Sequence, residues 1–181
     1  MKINSEEARS EIKLNNYVVF RNYATPPDLS LFEKAYKKKY KVTNSEDGKP
    51  LGNMKIMPEY FFENEDVNNF YKECSNLYDV KTTLLLISGN GQASPTTRHS
   101  DNGDVIHWQC SGQSEWTFYD TPKEGSETKI IMNSGDVVWF KKDKDHSVQN
   151  LTNKVSIIFM ENDFLRDFLK NQFAAAGMEF N

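Results

Sequence analysis

At 181 residues and a net charge of −4, the chain is long enough to bury one sizeable core and too acidic for a general nucleic-acid binder. Its two cysteines, Cys74 and Cys110, are too few for a disulfide scaffold, so a reducing, cytoplasmic setting is expected. Residues 1–7 lead into no apolar stretch of the kind a secretory leader carries, and no apolar run is long enough to span a bilayer, so no membrane partner is expected.

In chain order, residues 5–14 read as a short charged helix with Ser5 as its cap. Tyr17-Val18-Val19-Phe20 reads as a short strand, followed by a turn at Pro26-Pro27. Residues 28–39 have helical spacing, with Leu29, Phe32 and Tyr36 on one stripe and Lys37-Lys38-Lys39 as a solvated end. Residues 63–77 form another helix, with Val67, Phe70 and Cys74 on its apolar side; Cys74 is a core residue rather than a reactive one. From residue 80 the texture changes. Short β-rich runs at 80–87, 105–110, 116–119, 129–132, 137–140, 147–151 and 155–160 are punctuated by turns at 88–91, Gly112, 122–125 and 134–135. Strands at such spacing indicate a β-sandwich or barrel. Residues 162–177 form a last helix whose Phe164, Phe168 and Phe173 face the core or a homodimer seam.

The chemistry is concentrated in three histidines, His99, His107 and His146. His99 and Asp101 are two residues apart, and in an extended segment such residues point the same way. With His146 arriving from a neighbouring strand, they form the two-histidine, one-carboxylate set that holds a divalent iron on one face and leaves the other open. Each residue has a plainer reading as well: a polar turn for His99 and Asp101, a surface loop for His146. The ordered combination favours metal binding.

The segments Gly135, His146 and Asn150, with Lys141-Lys142-Asp143 in place of the usual Pro-x-Gly, resemble the second cupin motif. His99-x-Asp101, Asp104-Val105, Gln109, Gly112 and Trp116 look like the first half of the JmjC-like cupins. The resemblance covers residues 80–160, and more weakly the strand at Val18-Val19-Phe20-Arg21. It implies a mainly β fold with flanking helices, the double-stranded β-helix or cupin jelly roll. One domain is expected: a mixed helical and strand part at 1–79, the jelly-roll core at 80–160 and a C-terminal helix at 161–181. It also implies an Fe(II)-dependent oxygenase that uses 2-oxoglutarate as cosubstrate, with His99, Asp101 and His146 as metal ligands, other divalent metals being accepted by the same set.

Thr96 matches a position that often contacts 2-oxoglutarate in this family. The family commonly places a Lys or Arg for the far carboxylate just after the Gly112 turn, where this chain has Ser114. A hydroxyl cannot supply the charge-assisted pair. Lys154 is the first substitute, and Lys129 the second. His107 has inward parity unless a bulge at Asn102-Gly103 breaks it, and reads as a core residue or one that supports the site; a fourth ligand or a donor to cosubstrate is the alternative. Asn150 shares the strand face of His146, and Arg98 could meet an anionic substrate. Trp108 and Trp116 read as packing residues. The rival readings are a metal-binding cupin that does not use 2-oxoglutarate, such as another dioxygenase, an isomerase or a small-molecule binder, and a non-catalytic domain with a vestigial site. The substrate, small molecule or protein, is not specified by these residues.

Overall fold

The computed structural model describes residues 5–28, 30, 41–43, 50–56, 64–78, 84–89, 97–120 and 125–160. The helix expected at 28–39, the C-terminal helix with its homodimer seam, Thr96 and most of the turns at 88–91 and 122–125 lie outside the described residues.

The chain opens with helix α1 (Ser5–Asn15), which ends where Asn16 turns left-handed at φ 60°. Strand β1 (Tyr17–Phe20) follows, then β2 (Lys41–Thr43), β3 (Pro50–Ile56) and helix α2 (Glu65–Tyr78). The side chain of Asn64 caps α2 by accepting from Val67 N at 3.0 Å. The remaining strands are β4 (Leu84–Gly89), β5 (Val105–Ser111), β6 (Ser114–Tyr119), β7 (Glu127–Met132), β8 (Val137–Phe140), β9 (His146–Asn150) and β10 (Val155–Met160). Strands β2 and β3 were not expected: Pro50 and Gly52 interrupt a run with no clean alternation.

All pairings are antiparallel. A seven-stranded sheet runs β1-β8-β5-β10-β4-β3-β2, and a three-stranded sheet runs β7-β6-β9. This is the architecture expected, mainly β with flanking helices, in the form of a cupin jelly roll. Alternation along β5, β8 and β10 divides the core. Ile106, Trp108, Val137, Trp139, Ile157 and Phe159 face α1 and α2, where Ala8, Ile12, Val67, Phe70 and Cys74 meet them. Val105, Val138, Phe140 and Ile158 face Trp116, Phe118 and Met132 of the smaller sheet. Both faces of these strands are therefore buried, which explains the unbroken apolar run Val-Val-Trp-Phe of β8. No helix among the described residues is long and apolar enough to cross a membrane.

Two glycines fix the frame. Gly112 has φ +69°, and a Cβ there would stand 2.1 Å from the Asn153 carbonyl oxygen, so the β5–β6 turn can close only on glycine. Gly135 has φ +90°. Its carbonyl accepts from Tyr23 N at 2.9 Å, and its own N–H donates to Gln109 O at 2.8 Å. The next residue, Asp136, accepts from Arg21 Nη1 at 2.7 Å and Asn22 N at 2.8 Å, which ties the β1 end to the barrel.

Candidate metal centre

His99 and His146 are locked together by backbone. His99 N donates to His146 O at 2.9 Å, and His146 N donates to His99 O at 2.8 Å. This is a single antiparallel bridge. The regular strand expected for His99 and Asp101 is absent; the chain bends at Asn102-Gly103 instead. The Asp101 carbonyl accepts from Asp143 N at 3.0 Å. Asp143 has φ 63°. A left-handed residue thus occupies the third place of Lys141-Lys142-Asp143, where the motif usually has glycine, and aspartate tolerates that conformation.

Both imidazoles are oriented by carbonyls. His99 Nδ1 lies 2.8 Å from Thr97 O, and His146 Nδ1 lies 2.9 Å from Lys144 O. A carbonyl only accepts, so Nδ1 carries the proton and Nε2 presents its lone pair. His146 Nε2 stands 3.7 Å from Asp101 Oδ2. One ligand atom from each of His99, Asp101 and His146 falls within 4.8 Å of the others. This nitrogen–nitrogen–oxygen set fits a divalent first-row metal with open positions. Burial pushes the His146 pKa below its ordinary value, against the upward pull of Asp101, which favours the neutral form a metal requires.

The barrel interior falls into three levels, read from the register of β6 and β9: His146 opposite Phe118, Val148 opposite Trp116, and Asn150 opposite Ser114. Two residues of strand separate successive levels by about 7 Å. Phe140 joins the first level, its ring 4.6 Å from that of His146. The second level holds His107, whose ring meets Trp116 edge-on at 4.7 Å. The third holds Ser114, Gln109 and Ser156, all fully buried.

His107 faces inward as its parity required and is 2% exposed, and its Nε2 has no hydrogen-bond partner. Its pKa is pushed well down, by burial first and by the neighbouring Lys154 charge second. Lys154 is 4% exposed. No acidic side chain pairs with it among the described residues, and burial lowers its pKa to about 8. Lys129 does not enter the interior: opposite Thr117 on the outer face, it pairs with Glu115 at 3.4 Å. Nor is the Ser114 hydroxyl spare. It donates to Gln109 Oε1 at 3.0 Å and accepts from Trp116 Nε1 at 3.2 Å. Arg98 points outward, 2.6 Å from Asp145 and over the Tyr119 ring at 4.3 Å, lining an open surface cleft of about 270 Å³. Asn150 shares the register face of His146 through the alternation of β9. Sequence reasoning missed the carbonyls of Thr97 and Lys144, because backbone acceptors leave no side-chain signal. Cys74 and Cys110 are free, buried thiols whose pKa values burial raises, which makes both unreactive.

The barrel and its cluster make a cupin-type jelly roll with a two-histidine, one-aspartate group at its mouth. Solved structures share the fold. The ribosomal oxygenase YcfD of Escherichia coli matches at 14% identity with a TM-score of 0.63, over 100% of this chain and 59% of its own. The same oxygenase with cobalt and 2-oxoglutarate matches at 15% identity and 0.64, over 99% of this chain and 59% of its own. With cobalt and succinic acid it matches at 17% and 0.58, over 91% and 55%. The chain therefore spans under three fifths of the length of these relatives in fold. No family model and no curated protein matches the sequence.

Proposed function

We propose that this chain is an Fe(II)-dependent oxygenase that uses 2-oxoglutarate to hydroxylate a substrate. The observation that carries the reading is the cluster of His99, Asp101 and His146 within 4.8 Å, with both Nδ1 atoms turned to carbonyls. When bound, a divalent iron supplies the coupling of O₂ reduction to decarboxylation of 2-oxoglutarate, giving succinate, CO₂ and hydroxylated product.

The residues of this chain do the rest. His99, Asp101 and His146 would hold the ion. Lys154, a buried ammonium with no acidic partner among the described residues, suits the far carboxylate of 2-oxoglutarate. His107 offers its Nε2 to the same carboxylate, which would select the tautomer protonated there. Aromatic rings of Trp116, Phe118 and Phe140 exclude water from the inner side of His146. The oxygenase of similar fold was solved with cobalt and 2-oxoglutarate, which supports the reading.

Incubating the Fe(II)-loaded protein with 2-oxoglutarate and O₂ tests it. Succinate should form in wild type, and His146→Ala should form none. A second reading, a metal-binding cupin without 2-oxoglutarate, is favoured by the engaged Ser114 hydroxyl. Bound metal with no succinate would select it.

A further inference from the structure

We propose that Ser114 is a positioning residue for the metal centre: it pins the Trp116 indole against His146. The proposal rests on the metal-binding reading and goes beyond it.

The pin is a chain of hydrogen bonds running in one direction. Trp116 Nε1 donates to Ser114 Oγ at 3.2 Å, Ser114 Oγ donates to Gln109 Oε1 at 3.0 Å, and Gln109 Nε2 donates to Ser111 O at 2.8 Å. Gln109 and Ser114 are 0% exposed and Trp116 is 3% exposed, so water does not compete with these bonds. The chain ends on backbone beside the Gly112 turn, which packs so close to Asn153 that no side chain fits there. The Trp108 indole, buried on the opposite face of β5, has no such bond. Packing alone holds that ring; Trp116 is held by packing and by direction.

The direction matters because of what the ring touches. The Trp116 ring lies nearly parallel to the His146 imidazole, 5.5 Å between centroids and 17° between planes. The Nδ1 bond to Lys144 O anchors one edge of that imidazole but leaves it free to tilt about the bond. Trp116 on one side and Phe140 on another remove the tilt. His107, edge-on to the indole at 4.7 Å, backs the ring from behind. The plane of the Nε2 lone pair is thereby set by a hydroxyl one strand level beyond the indole. Serine at this position gives up a cation for the cosubstrate and gains a clamp on the metal ligand. A long basic side chain would displace either Gln109 or the indole from the same fully buried space.

The test uses the full chain and Co(II) as probe. Affinity and the visible ligand-field spectrum are measured for wild type, Ser114→Ala, Trp116→Phe and the double variant, with thermal unfolding as the check on folding. Ser114→Ala should weaken Co(II) binding about 10-fold, as loss of an orienting partner does, and should shift the bands. The double variant should be no worse than Trp116→Phe, because serine acts through the indole. Ser114→Cys fills the site with a slightly larger group that hydrogen-bonds only weakly, and reads the same effect if the alanine variant does not fold. A folded Ser114→Ala or Ser114→Cys protein with unchanged affinity and spectrum overturns the proposal. Additive losses in the double variant overturn it too. Failure of wild type to bind Co(II) is a different result: it removes the metal centre itself, and the positioning role with it.

Discussion

Two histidines in this barrel are equally buried, and their surroundings are opposite. His146 and His107 are each 2% exposed. Around His146 the polar neighbours suit a cation: Nδ1 is turned to Lys144 O, Nε2 faces Asp101, and His99 stands beside it with its own Nδ1 turned to Thr97 O. Around His107 the signs reverse. Its nearest charge is the Lys154 ammonium, and its Nε2 is unpartnered. A polar group buried without a partner costs on the order of 1–3 kcal/mol, so such an arrangement is retained where something else repays it. In the proposed function a metal would sit beside His146 and an anion beside Lys154; the Trp116 ring lies between the His146 and His107 imidazoles.

The largest expected effect breaks the metal end. His146→Ala leaves two ligands of three, and iron bound after purification should fall to background, as metal analysis would report. Next, Lys154→Met tests the anion end in two directions at once. A lysine pKa moved from 10.5 to about 8 by burial corresponds to a cost of ~3 kcal/mol at neutral pH. Urea unfolding should show the methionine variant more stable by up to that amount, while its affinity for 2-oxoglutarate falls about 10- to 100-fold with loss of a charge-assisted bond. A variant that is less stable, or that binds equally well, breaks the comparison.

A pH titration sharpens it. Lys154 is protonated below about 8 and neutral above, so 2-oxoglutarate affinity should drop as pH rises through that value. Stability should move the other way. The folded pKa lies below the unfolded one, the unfolded chain holds the proton longer, and stability rises between about 8 and 10.5. The smallest effect is expected from Lys129→Ala. Its pair with Glu115 is 61% exposed on the lysine side, so stability should change by about 0.5 kcal/mol or less, with no change in cosubstrate affinity.

Much of this was legible in the sequence, for reasons that differ by region. Strands β5 to β10 carry apolar runs bounded by Gly112, Gly125 and Gly135, and their positions follow from that punctuation to within two residues. That His99, Asp101 and His146 would converge was readable because residue type and order together narrow which side chains can meet. The route was different: a single bridge joins His99 to His146 where a strand was expected, since bridge formation depends on the partner segment. Strands β2 and β3 left too weak a pattern. Whether Ser114, Lys129 or Lys154 faces inward depended on register and on the bulge between β5 and β10 at Val155 and Ser156, neither of which composition reveals.

In the proposed function a metal held by His99, Asp101 and His146 and a carboxylate held by Lys154 belong to one 2-oxoglutarate site. Anaerobic titration of the Fe(II)-loaded protein with 2-oxoglutarate, followed by visible absorption, tests it most directly. A metal-to-ligand band should grow to saturation in wild type, and saturation should need about 10-fold or more 2-oxoglutarate in Lys154→Met, as expected for a lost charge-assisted bond. Bound iron with no band at any concentration, or an identical titration in the two proteins, would contradict the account.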